Sequence, residues 1–410
     1  MKIAILGYGK EGQATEKYFK SHFNAECDIF DNQTPEQFQQ RDYSPYDIIF
    51  RSPSVPPLNL PNESSITKYF FDHCPCKIIG VTATKGKGTI CSFIKSLLDA
   101  SHQDAHLVGN IGVPALDVLD HLTMNSVVVY ELSSFQLWDM KRSPHISVIG
   151  HLEPDHLNIH KDYTDYIAAK ANITLHQNKR DFLVYYSKNP ETVKLASLTK
   201  AQQIPYPFAI PEEIKSAITL PGEHNIENAV AAIAAVASYK NISPDEYLRQ
   251  FPEEIKQGLS SFHGLPHRLE FLRELKNVKY YDDNFSTNPS STRVAVQAFP
   301  HDNLVLIIGG RDKTNNQDFP ELYEIFKFPQ IKKIILMGES GHAITAERHD
   351  PRFVLTDTLQ EAVQTAKLEA EKLAPATVLM SPAAASFDMF DNVYDRGTKF
   401  KNLIALLDQR

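Results

Sequence analysis

The sequence predicts an α/β chain of three domains, each a largely parallel sheet covered by helices. Three observations predict it. Short apolar runs at 2–6, 27–30, 47–50, 76–81, 127–132, 146–151, 278–281, 304–308, 334–337, 353–355 and 377–380 alternate with helical patterns, and no repeat period interrupts them. Glycine-rich turns follow the runs at 2–6 and 76–81, where a doubly wound sheet receives its ligands. At 410 residues the chain is too long for one core, given roughly 150 residues per domain. The expected boundaries are 1–76, 77–264 and 265–410.

The first unit opens with a strand and the turn Gly7-Tyr8-Gly9-Lys10-Glu11-Gly12, and Asp31 ends the next strand. That is the dinucleotide fingerprint, which taken alone points to an NAD-dependent oxidoreductase. Its physics, a tight turn and a helix N-terminus aimed at a diphosphate, suits any nucleotide diphosphate equally. A proline-rich linker, Ser52-Pro53-Ser54-Val55-Pro56-Pro57, closes the unit.

The second unit opens with Gly80-Val81-Thr82-Ala83-Thr84-Lys85-Gly86-Lys87-Gly88-Thr89, between an apolar strand and a helix that puts Ile90, Phe93, Ile94, Leu97 and Leu98 on one face. Such a loop aims backbone N–H groups at one phosphate while Lys87 adds a mobile charge and Thr89 an oxygen for Mg²⁺. Val81 and Gly88 depart from the usual phosphate-loop pattern, so a plain glycine turn before a helix stays open as the bland alternative. Later strands end in Glu131-Leu132-Ser133-Ser134 and His151-Leu152-Glu153-Pro154-Asp155-His156. Glu131 is a hard oxygen ligand suited to Mg²⁺, with a solvated strand end as its alternative. His151, His156 and His160 have no thiolate partners and make a poor zinc site. Gly222-Glu223-His224-Asn225-Ile226-Glu227-Asn228 leads into an alanine-rich helix, before which Asn225 could serve as a cap. The third unit has five strand runs separated by helical patterns.

A formal net charge of -8 and a pI near 6.1 argue against nucleic acid as the main partner. No apolar run approaches the roughly 20 residues that cross a bilayer, so no membrane insertion is expected, and the start runs directly into a strand, which predicts a cytoplasmic protein. Cys27, Cys74, Cys76 and Cys91 form neither a disulfide framework nor a zinc pair.

Four further strings occur in the order found in the Mur ligases: Gly109-Asn110-Ile111-Gly112, Glu131-Leu132-Ser133-Ser134-Phe135-Gln136-Leu137, Asp155-His156-Leu157-Asn158-Ile159-His160 and His267-Arg268. With the Gly222 segment and Ser381-Pro382-Ala383-Ala384-Ala385-Ser386-Phe387-Asp388, the chain resembles the branch that adds glutamate to UDP-N-acetylmuramoyl-L-alanine. The resemblance runs the length of the chain. It implies a Rossmann-like N-terminal domain for the UDP sugar, a central P-loop ATPase domain and a Rossmann-like C-terminal domain for the amino acid. It also implies an ATP- and Mg²⁺-dependent ligase working through an acyl phosphate, and closure of the C-terminal domain; a monomer is expected.

By that resemblance Gly7, Tyr8, Gly9, Gly12, Asp31, Ser52 and Asn110 meet the UDP sugar. Thr84, Lys85, Gly86, Lys87, Gly88, Thr89, Asn225, Asn228, Arg268 and Asp283 meet ATP. Lys87, His156 and Lys170 are the catalytic set, with Lys170 carbamylated so that Thr89, Glu131, His156 and Lys170 hold Mg²⁺. Thr287, Lys313, Ser386 and Phe387 meet the glutamate.

Two departures bear on substrate. Phe285 stands in Asp283-Asn284-Phe285-Ser286-Thr287-Asn288 where the D-glutamate branch carries a lysine that pairs with a substrate carboxylate. Lys85 and Gly88 alter the phosphate loop, Gly88 in the manner of folylpolyglutamate synthetases. D-glutamate is expected ahead of L-glutamate. A folate-polyglutamating ligase and a nucleotide-binding regulator without catalysis are the other readings.

Overall fold

The computed structural model describes residues 1–157, 159–311 and 320–407. Among the described residues, sixteen strands form three sheets. The chain divides into two compact units, Met1–Ile218 with Ile226–Phe262, and Thr219–Asn225 with His263–Arg410.

The first unit holds two sheets. Strands β1 (Lys2–Leu6), β2 (Glu26–Phe30), β3 (Ile48–Arg51) and β4 (Glu63–Ser65) pair in parallel in the order β2-β1-β3-β4. Three of them match the expected runs; β4, three residues of Glu-Ser-Ser, has no apolar signal.

Strands β5 (Lys77–Thr82), β6 (Ala105–Gly109), β7 (Val127–Glu131), β8 (Ile146–Ile149), β9 (Phe182–Tyr186) and β10 (Gln202–Tyr206) form the second sheet, ordered β10-β9-β8-β5-β7-β6 and wholly parallel. All five residues of β7 are buried, because helices cover both faces of a parallel sheet. The helix Lys87–Ala100 buries the predicted face Ile90, Phe93, Ile94, Leu97 and Leu98. The alanine run 229–237 in the helix Glu223–Tyr239 is fully buried, its small side chains allowing close approach.

In the second unit, β11 (Glu270–Leu275), β12 (Val278–Asp282), β13 (Asn303–Gly309), β14 (Ile331–Met337), β15 (Phe353–Thr356) and β16 (Ala376–Met380) are ordered β11-β12-β16-β13-β14-β15. Five strands are parallel, as expected. The sixth, β11, adds an antiparallel edge through a hairpin at Lys276 and Asn277, both at positive φ. Among the described residues no helix is long and apolar enough to cross a membrane.

Candidate functional site

In the first sheet, β1, β2 and β3 end side by side. Gly7 takes φ 83°, and a Cβ there would fall 2.1 Å from Ser52 Oγ, so only glycine lets the turn and the linker meet. The Tyr8 N–H donates to Asp31 Oδ1 at 3.1 Å, and the Ser52 and Ser54 hydroxyls lie 2.9 Å apart. Gly7, Tyr8, Asp31 and Ser52 are thus brought to one place.

The phosphate loop leaves β5 at the middle of the second sheet, between β8 and β7. Gly86, at φ 84°, caps the helix Lys87–Ala100, and a Cβ there would sit 2.8 Å from Asn228 Oδ1. Asn228 therefore lies against the loop. Lys87 Nζ donates to the Ala83 and Thr84 carbonyls at 2.9 and 3.0 Å. Thr84 Oγ1 lies 2.9 Å from the Tyr166 hydroxyl and accepts from the Glu153 N–H at 3.0 Å, while Lys85 pairs with Glu153 at 2.8 Å. Lys85, where asparagine is usual, thus pairs with the neighbouring loop.

Lys170 comes up beneath this loop from the helix Tyr163–Ala171. It is 1% exposed, and its Nζ donates to Thr82 Oγ1 and the Ala83 carbonyl, each at 3.0 Å. Burial, reinforced by the Lys87 charge, holds its amine well below the usual lysine range, against the pull of Asp155 and Glu131. Glu131, buried at the end of β7, accepts from Asn110 Nδ2 at 3.2 Å, which seats Asn110 beside it. His156 is at φ 54° with its ring 5.0 Å from Phe135. Burial lowers its pKa, and the charges of Lys87 and Lys170 act in the same direction while Asp155 opposes them. Lys87, Glu131, His156 and Lys170 therefore gather at the carboxyl edge of one sheet, with Lys170 within electrostatic reach of the other three and Thr89 in the first turn of the helix beside Lys87.

His160 is held by its neighbours through both ring nitrogens. Its Nδ1 lies 2.9 Å from Asp165 and its Nε2 2.9 Å from Ser134 Oγ, and the ring stacks on Phe135. Gln136 Nε2 reaches across to Glu11 Oε1 at 2.7 Å, tying the first glycine turn to the Glu131 segment. Neither Glu11, Glu153 nor Tyr166 stands out in sequence; each is a polar residue whose partner is far along the chain.

In the second unit, Asn225 does not cap the helix Glu223–Tyr239, contrary to the cap reading. The helix starts two residues earlier, and Asn225 Nδ2 donates back to the Pro221 carbonyl at 2.7 Å. Asp283 turns inward: it accepts from the Leu269 N–H at 3.2 Å and Ser381 Oγ at 2.7 Å, and burial pushes its carboxyl up to about 7. The Arg268 guanidinium stands 5.6 Å from the Phe285 ring centroid, and Tyr394 meets Phe285 edge-on at 5.2 Å. Thr287 follows β12 and Ser386 follows β16, two paired strands, with Ser386 buried and Phe387 64% exposed. Lys313 lies outside the described residues.

Residues 81–236 match the model of the Mur ligase middle domain, and residues 267–384 that of the Mur ligase glutamate ligase domain. A UDP-N-acetylmuramoylalanine--D-glutamate ligase from Ruminiclostridium cellulolyticum is 32% identical over 464 aligned positions, covering 98% of this chain and 96% of the relative. The chain belongs to the Mur ligase family. A second relative of the same printed name, from Clostridium kluyveri, is 31% identical with the same coverage. Among solved structures, MurF from Acinetobacter baumannii superposes on this Mur ligase with a TM-score of 0.62 at 20% identity, covering 84% of this chain and 79% of that one. The α/β architecture expected from the strand pattern is that of the Mur ligases, and the phosphate loop with its altered residues is a Mur ligase loop.

Proposed function

We propose that this Mur ligase joins glutamate to UDP-N-acetylmuramoyl-L-alanine at the expense of ATP, with D-glutamate the preferred amino acid. The observation that carries the reading is the convergence of Lys87, Glu131, His156 and the buried Lys170 at the carboxyl edge of the central sheet. A carboxylate is a poor electrophile until its oxygen becomes a leaving group, and transfer of the ATP γ-phosphate makes it one. Attack by the amine on the acyl phosphate then forms the amide and releases phosphate, so the site has to neutralise several negative charges at once. Lys87 and the N-terminal amides of the helix Lys87–Ala100 supply that charge at the phosphates. Thr84, Lys85, Gly86, Gly88 and Thr89 shape the cradle, and Asn228 lines its side. Asn225, Arg268 and Asp283 are assigned to the nucleotide as well; the inward turn of Asp283 limits it to ordering that segment in the conformation described.

The donor set fits Mg²⁺. Glu131 is a buried carboxylate with one amide donor on one oxygen, which leaves lone pairs for a hard cation, and Thr89 adds a hydroxyl. When bound, the ion supplies charge neutralisation at the phosphates. Lys170 suits carbamylation because burial shifts its amine toward the neutral form, and only a neutral amine can form the N–C bond to CO₂ with loss of a proton. The product would place a negative charge beneath the loop and would join His156 in holding an ion.

Gly7, Tyr8, Gly9, Gly12, Asp31, Ser52 and Asn110 are assigned to the UDP sugar, and Thr287, Lys313, Ser386 and Phe387 to the amino acid, on domains bounded at 1–76, 77–264 and 265–410. A cytoplasmic monomer is proposed. One observation favours a second reading: Phe285, packed between Arg268 and Tyr394, offers no cation to a substrate carboxylate, and this favours L-glutamate as the alternative. Phosphate release from ATP with UDP-N-acetylmuramoyl-L-alanine and each glutamate enantiomer tests both. Turnover with D-glutamate above L-glutamate is expected; silence with every acceptor would leave a nucleotide-binding regulator.

A further inference from the structure

Arg396 is one of the largest fully buried side chains, at 0% exposure, in the helix Val393–Ala405. A buried guanidinium ordinarily faces a carboxylate. Here every hydrogen-bond partner given by the described residues is a carbonyl oxygen. Nη1 donates to the Ala384 and Ala385 carbonyls at 3.1 and 3.3 Å and to that of Gly309 at 3.5 Å. Nη2 donates to the Ala384 and Asn284 carbonyls at 3.1 and 3.2 Å, and Nε to Asn284 Oδ1.

Those carbonyls come from three different segments. Asn284 follows β12, Ala384 and Ala385 follow β16, and Gly309 ends β13, and these three strands are neighbours in the sheet. One planar fork with five N–H donors thus fixes the carboxyl ends of three adjacent parallel strands, where open α/β sheets bind ligands. The bracing extends outward. The Asn284 N–H donates to Asp282 Oδ1 at 3.0 Å, and Asp282 Oδ2 lies 2.7 Å from His267 Nδ1. Gly397, next along the helix, abuts this network; a Cβ there would fall 2.3 Å from His267 Nδ1.

We propose that Arg396 is the positioning residue of the amino-acid site, its buried guanidinium holding the segments that carry Thr287 and Ser386 at the spacing an incoming amino acid requires. The inference rests on the ligase reading above. Thr287 stands three residues beyond Asn284 and Ser386 directly follows Ala385, so a shift of either carbonyl moves a group assigned to the amino acid. Lysine in place of Arg396 keeps a charge but offers a point donor in place of the fork, so it cannot hold three segments at once.

The test is steady-state kinetics on the full chain carrying Arg396→Lys or, separately, Asn284→Ala, with each substrate varied in turn. Displacement of positioning groups by about 1 Å costs up to roughly 100-fold, so the KM for glutamate should rise about tenfold or more. The KM for the UDP sugar, none of whose assigned groups belongs to this network, should stay within about twofold, a split that a general loss of folded protein does not produce. Unchanged glutamate KM in the variants, or proportional change in the KM for the UDP sugar, overturns the inference while leaving the ligase reading intact. If Arg396→Lys fails to fold, Asn284→Ala decides on the same two outcomes. Wild-type silence with every amino acid refutes the ligase reading and this inference with it.

Discussion

Lys170 shows how burial alone can prepare a side chain for chemistry. Desolvation, reinforced by the Lys87 charge, holds its amine well below the usual lysine range, and its two hydrogen bonds to Thr82 and Ala83 aim it at the underside of the phosphate loop. Equilibration of the protein with ¹³C-bicarbonate should give a carbamate carbon signal, which should be lost, together with most turnover, in Lys170→Arg. A second residue makes a prediction about pH. Asp283 binds its proton more tightly folded, with a pKa of about 7, than unfolded, near 3.8. Its contribution to stability is therefore complete below pH 3.8 and is lost as pH rises through about 7. Asp283→Asn should remove that loss, so the melting temperature of the variant relative to wild type should climb between pH 5 and 8. A flat difference across that range would show that the carboxyl is not held in this way.

At the scale of elements, the phosphate loop is the part most tightly specified. Gly86 sits at φ 84°, where a side chain costs about 1–2 kcal/mol, and its missing Cβ is what lets Asn228 approach. Gly86→Ala should raise the KM for ATP about tenfold, the equivalent of roughly 1.4 kcal/mol, with little change for the UDP sugar. The matching change in the first sheet, Gly7→Ala, should do the reverse, because a Cβ there collides with Ser52. Loop, strand and helix were legible because a buried parallel strand writes itself as an unbroken apolar run, as Val127-Val128-Val129-Tyr130 does. Other edge strands were not, although β2 and β15 were. Gln202–Tyr206, with Pro205 inside it, and Glu270–Leu275, with three charged residues, have no such run because one side of an edge strand is free. β9, Phe182–Tyr186, is apolar and could have been found from composition. Of the site, the motif residues were legible, whereas Arg396, Glu11 and Tyr166 act through contacts with residues far along the chain, which no local pattern records.

Across the whole molecule, the two family-model matches and the near full-length relatives place the chain among the Mur ligases, and its own residues have to account for the charge handled there. A chain of net charge -8 that uses anionic substrates must gather its positive groups locally, and the phosphate loop does so with Lys85, Lys87 and the helix N-terminus. Everything proposed for the amino-acid and sugar sites depends on that loop delivering the γ-phosphate. The most direct measurement is therefore ligase turnover of wild type and Lys87→Ala, with Mg²⁺, ATP, UDP-N-acetylmuramoyl-L-alanine and D-glutamate all saturating. Removal of one preorganised donor of this kind costs about 100-fold or more in rate, and a fall of that size is the result expected. Turnover of Lys87→Ala equal to wild type would contradict the account at its centre.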